Sequence, residues 1–132
     1  MPWLLDTNAI SAVARNPRGA EGQRLRLLAH GDALTSIVVL GELRFGLEKK
    51  PSEAVERQID SVLRGVVVLP IEEPVERHYA SIRSLMERAG TPIGGNDCWI
   101  AAHALALDCT LVTANEREFR RVPGLRVENW AA

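Results

Sequence analysis

Trp3-Leu4-Leu5-Asp6-Thr7-Asn8 opens the chain with an apolar run that stops at an acid. Three large apolar residues in a row read as a short strand, and residues 8–15 after them read as a helix. Ala33-Leu34-Thr35-Ser36 repeats the arrangement, with a helix predicted from Ile37 to Lys49. Val66-Val67-Val68-Leu69 is a β-branched run, the pattern of a strand buried on both faces. Thr110-Leu111-Val112-Thr113 and Leu125 to Val127 supply two more strands. Further helices are predicted over 21–30, from Pro51-Ser52 to Leu63, and over 72–88, 96–107 and 116–121. Pro17-Arg18-Gly19, Arg64-Gly65, Gly90, Pro92 and Pro123-Gly124 punctuate them. Strands alternating with helices predict an α/β fold with a central, mostly parallel sheet of about five short strands flanked by helices. Such sheets bind ligands beyond the carboxyl ends of their strands, where Asp6 and Thr113 fall.

Bulk properties narrow the function. A length of 132 residues predicts one domain, spanning 1–132, that needs no disulfide or structural zinc. The net charge of −1 removes bulk attraction to nucleic acid, so any such contact needs a local patch or a bridging metal. Cys98 and Cys109 fit no CxxC or Cys/His spacing and read as buried thiols in a reducing compartment. Asp6 interrupts the N-terminal apolar run, no basic segment precedes it, and no stretch reaches the ~18 apolar residues of a membrane span. The chain therefore reads as cytoplasmic, with no membrane contact. His30, His78 and His103 show no ligand spacing. GxGxxG, Walker A and G-x-S-x-G motifs are absent, and no second acid stands two residues after Asp6.

What remains is a set of acids placed where strands end or helices begin: Asp6, Glu42, Asp97 and the pair Glu116/Glu118. Each has a bland reading beside the chemical one. Asp6 or Thr7 can cap the first helix, and Asn96 or Asp97 a later one. Asn115 and Glu118 have the spacing of a capping box. Glu42 stacks at helical spacing with Val38, Val39, Phe45 and Gly46, so it lies on the inward stripe or at its edge, where Arg44 can pair with it. The joint pattern favours chemistry, because a parallel sheet gathers its strand ends in one cleft. Carboxylates ~4 Å apart repel by about 4 kcal/mol at an effective dielectric of 20. Such a group needs a proton or a divalent cation, and an all-oxygen donor set favours Mg²⁺ or Mn²⁺ over Zn²⁺.

These residues carry a family resemblance. Leu4-Leu5-Asp6-Thr7-Asn8 resembles the opening motif of PIN-domain ribonucleases. Glu42, in Leu40-Gly41-Glu42-Leu43, resembles their second acid. Pro92-Ile93-Gly94-Gly95-Asn96-Asp97 with Ile100-Ala101-Ala102-His103-Ala104 resembles the third. The tail is similar to that of the VapC toxins of type II toxin–antitoxin modules: Leu111-Val112-Thr113-Ala114-Asn115, Glu118-Phe119, Arg121 to Leu125 and Glu128-Asn129-Trp130. One position departs: many PIN domains carry an acid two residues after the final threonine, where this chain has Asn115. Glu118 or Glu116 then fills the fourth site, with Asn115 a neutral ligand or a cap.

The resemblance implies RNA as substrate, a homodimer, and a cognate antitoxin whose C-terminal segment blocks the acidic cleft. The corresponding expectation is a Mg²⁺-dependent endoribonuclease, with Mn²⁺ as a substitute. Asp6 and Asp97 hold the metal, Glu42 binds a second metal or orients water, and Glu118 supports them. Thr7 and Thr113 either orient these groups or cap strand ends. Arg15, Arg18, Arg44, Lys49 and Lys50 either guide RNA or form a solvated face. The rivals are a binding module that grips RNA or protein without cutting, for which Asn115 speaks, and a DNA nuclease using the same chemistry.

Overall fold

The computed structural model describes residues 2–131. Five short strands form one parallel sheet: β1 (Trp3–Leu5), β2 (Ala33–Ser36), β3 (Val67–Leu69), β4 (Thr110–Val112) and β5 (Arg126–Glu128), in the order β3-β2-β1-β4-β5. Seven helices join them: α1 (Thr7–Arg15), α2 (Ala20–Arg26), α3 (Ile37–Lys49), α4 (Glu53–Leu63), α5 (Val75–Arg88), α6 (Gly95–Ala106) and α7 (Glu116–Phe119). The chain winds outward from β1 to β2 and β3, then crosses back to β4 and β5. Right-handed crossovers put α1–α4 on one face and α5–α7 on the other. The packing agrees, with α1 against α2, α3 and α4, and α5 along α6.

The register sets the site. Leu5 pairs with both Thr35 and Val112, so β1 and β4 end level and β2 runs one residue further. Strand order reverses at β1, and the residue leaving that strand is Asp6. A parallel sheet opens its crevice at this point. Leu4, Leu5, Ile10, Val39, Ile100 and Leu111 are buried beneath it, each contributing about 1.5–3 kcal/mol of transfer free energy. Among the described residues no helix is long and apolar enough to cross a membrane. Cys98 and Cys109 are free and buried, and burial raises both thiol pKa values.

Four expectations need correction. β3 is an edge strand with Val67 40% exposed, so its β-branched run does not mark burial on both faces. Of the expected α3 face, Val39 is buried and Val38 packs against the core, but Phe45 is 64% exposed and Gly46 is exposed, and Leu43 turns inward instead. α2 stops at Arg26 rather than residue 30, because the chain must turn through Gly31 at φ +91° to enter β2. α5 begins at Val75, since Pro74 at its start leaves Glu72 and Glu73 outside the helix.

Candidate active site

Asp6 is 5% exposed. Its Oδ1 accepts the Ala9 N–H at 2.9 Å, which makes it the cap of α1. The Thr113 hydroxyl lies beside its carboxylate. Burial pushes its pKa up against the opposing pull of Thr113 and Ala9, and the charge of Glu42 adds to the rise.

Glu42 is half-buried at the edge of the inward stripe of α3. It accepts from the Thr7 hydroxyl on one oxygen and from Asn96 Nδ2, at 3.3 Å, on the other. Thr7 begins α1 and Asn96 lies in the first turn of α6, so two helix starts fix this carboxylate. Arg44 does not reach it; that guanidinium pairs with Glu56 and Asp60 at 3.7 and 3.5 Å. Asn96 is the residue that reading the sequence missed. It looked like a helix cap, but Gly94 occupies that position and leaves the amide free to reach across.

Asp97 sits one residue further into α6. Its pKa is pushed up to about 7: burial comes first, then the charge of Glu118 and a hydrogen bond shared with it, then the charges of Glu42 and Asp6. Glu118 is delivered by α7, and Asn115 Nδ2 donates to its Oε2 at 2.7 Å. That contact replaces the expected capping box, in which the Asn115 oxygen would accept from the helix; α7 has no side-chain cap. Glu116 is turned away onto Arg120 and Asn129, which lower its pKa.

The acids are therefore linked. Asn115 donates its N–H to Thr113 Oγ1 at 2.9 Å and its amide to Glu118, while Thr113 lies beside Asp6 and Glu118 beside Asp97. None of the ion pairs among the described residues involves Asp6, Glu42, Asp97 or Glu118. Thr113 and Asn115 thus organise a cluster of negative charge that has no protein cation. Oxygen donors alone suit a hard divalent ion. Among the described residues no three acids, histidines or cysteines stand close enough together to hold a metal ion among them.

A PIN-domain model matches residues 3–125. The chain belongs to the PIN-domain family. Ribonuclease VapC2 of Rickettsia felis is 36% identical over 133 residues, covering 98% of each chain. The tRNA(fMet)-specific endonuclease VapC of Shigella flexneri is 36% identical over 135 residues, covering 99% of each. Among solved structures, VapBC2 from Rickettsia felis bound to a promoter DNA fragment superimposes with a TM-score of 0.91 at 34% identity, over 98% of this chain and 99% of that one. VapBC-1 from nontypeable Haemophilus influenzae gives 0.88 at 34% identity, over the whole of both chains. The expected fold and family resemblance therefore hold. VapC nucleases of the PIN family are metal-dependent, which agrees with an acid cluster lacking a protein counter-ion.

Proposed function

We propose that this PIN domain, taken as a single nuclease domain over 1–132, is a Mg²⁺-dependent endoribonuclease. It acts in the cytoplasm as the toxin of a toxin–antitoxin pair. The observation that carries the reading is the uncompensated acid cluster at the sheet's reversal point. The near relatives are themselves named as ribonucleases and a tRNA endonuclease, which favours RNA over DNA as substrate.

In this reading Asp6 and Asp97 hold Mg²⁺, with Mn²⁺ as a working substitute. Bound there, the ion supplies a water of lowered pKa and neutralises charge on the scissile phosphate. Glu42, clamped by Thr7 and Asn96, orients the attacking water. Glu118 supports Asp97 and takes the fourth acidic position. Thr113 fixes the Asp6 carboxylate and, through its contact with the Asn115 N–H, ties it to the loop carrying Glu118. The rival binding-module reading rested on Asn115 as a lost acid, and the hold of that amide on Glu118 weighs against it. Asn115→Ala is expected to lower the cleavage rate about tenfold by freeing Glu118. Time courses at saturating Mg²⁺ read this directly, and a wild-type rate would leave the amide no part in the reaction.

The antitoxin has a fitting surface. A groove of about 620 Å³, with Leu43, Leu47, Val55 and Ile59 in its walls, runs to Thr7 and Glu42. An apolar segment lying there ends over the acids and blocks them. Leu47→Asp is expected to weaken antitoxin capture by at least about tenfold through the buried charge. Titration calorimetry with the cognate antitoxin measures it, and unchanged affinity would move the partner elsewhere. The protein is proposed to act as a homodimer, with exposed Phe45 on α3 offering apolar surface for the contact.

The direct test of the activity is incubation with RNA and with single-stranded DNA of the same sequence. Discrete RNA cuts that need Mg²⁺ and stop with EDTA are expected. Equal cutting of DNA, or cutting indifferent to EDTA, contradicts the proposal.

A further inference from the structure

A trough leaves the acid cluster along α1. It holds about 200 Å³ and runs between α1, the start of α2 and the chain after β4 and β5. None of the four acids lines it, but Thr113 does and lies beside Asp6, so trough and cluster adjoin at that residue. Asn8 stands at that end and Arg15 and Glu21 at the other, about 10 Å away along the helix at 1.5 Å per residue. Ala9, Ala12, Val112 and Ala114 line it with small apolar side chains.

The polar groups here are unequal. Asn129, also in the wall, has its amide committed to Glu116 and to the Ala131 N–H. The side chains of Asn8, Arg15 and Glu21 carry no hydrogen bond or ion pair among the described residues. Of the five cations considered as RNA guides, Arg44 is spent on Glu56 and Asp60, and Lys49 lies over the Phe45 ring. Arg15 combines an uncommitted guanidinium with a place in a cavity that touches the site. As the last residue of α1 it also complements the helix dipole, which accounts for a cation at that position but not for the cavity.

We infer that this trough is a nucleotide subsite: it takes one unpaired nucleotide of the RNA strand beside the scissile phosphate. The inference rests on the ribonuclease reading. The planar base lies on the Ala9–Ala12 floor, where stacking area costs no polar burial. Arg15 takes a phosphate or an acceptor edge of the base, and Glu21 takes a donor edge. Single strands are gripped in this way, by a surface for the base and a cation for the backbone. The site therefore reads the identity of one nucleotide next to the cut, on the side of the strand that follows α1.

Steady-state cleavage of a short single-stranded RNA tests this, with cut ends sequenced. Arg15→Ala is expected to raise KM about tenfold and to flatten the dependence of log kcat/KM on log salt by about 0.7. Ala12→Leu, which fills the trough, is expected to raise KM similarly, and Glu21→Gln to change the base preferred at one position beside the cut. Mn²⁺ affinity should stay at the wild-type value in all three. Unaltered KM, salt slope and base preference in proteins that still cut RNA would overturn the subsite while leaving the nuclease reading intact. A fall in Mn²⁺ affinity alongside the KM change would also overturn it, by showing that the trough acts through the acids. Wild-type protein unable to cut RNA would remove both.

Discussion

Asp6→Asn is expected to yield folded protein that cuts RNA at least roughly 10³-fold more slowly than wild type, the scale of losing one preorganised charged group at a reacting phosphate. The substitution keeps the shape and an acceptor for the Ala9 N–H, so the α1 cap survives. It removes a negative charge from a position only 5% exposed. Because burial already raises the pKa of this carboxyl, the neutral amide costs the fold little. Metal-free thermal stability should therefore match or exceed that of wild type, while the stabilisation that wild type gains from millimolar Mg²⁺ should disappear. Gel time courses and thermal melts with and without Mg²⁺ read the two effects. Substantial cleavage by the variant would remove Asp6 from the reaction.

The second large effect is on pH. The Asp97 carboxyl titrates at about 7 in the folded protein, against 3.8 in the unfolded chain. Between these values the folded state binds more protons than the unfolded state, so metal-free stability falls as pH rises from about 4 to 7. Asp97 is half-open to water, so screening reduces the total to roughly 1–2 kcal/mol. Burial raises Asp6 in the same direction. A divalent ion binds the ionised form and opposes the loss. Apparent Mg²⁺ affinity should consequently drop about tenfold per pH unit below pH 7, as expected when one proton competes with the ion. Cleavage at subsaturating Mg²⁺ should drop with it. Melts and Mg²⁺ titrations from pH 5 to 8.5 show both trends, whereas stability rising with pH in EDTA would contradict the raised Asp97 pKa. Glu118→Gln should lower the Asp97 pKa and move the titration to lower pH.

The alternation of strands and helices was readable because each strand is short, apolar and followed by a polar stop, and this alone sets a parallel sheet and its binding edge. Asp6 was readable for the same reason: it is the stop itself. The edge position of β3 was not, since Val66 to Leu69 has the same composition whether one face or two is covered, and only strand order decides. Glu42 was placed beside the inward stripe, and Val38 and Val39 face inward as expected, but Phe45 and Gly46 do not. The apolar residues of α3 nearly surround the helix, so periodicity could not distinguish Phe45 from Leu43. Asn96 and Asn115 show a different limit. Both look like caps locally, and each is drawn off by a partner carboxylate: Glu42, 54 residues away for Asn96, and Glu118 for Asn115. The spacing Asn115-x-x-Glu118 was visible, whereas the direction of its hydrogen bond was not.

Anomalous diffraction from crystals equilibrated with millimolar Mn²⁺ is the most direct measurement of the central claim. A manganese peak is expected in the cleft beyond β1, contacted by the carboxylates of Asp6 and Asp97. A cleft without manganese under those conditions, or an ion held only by acids elsewhere on the surface, would contradict it.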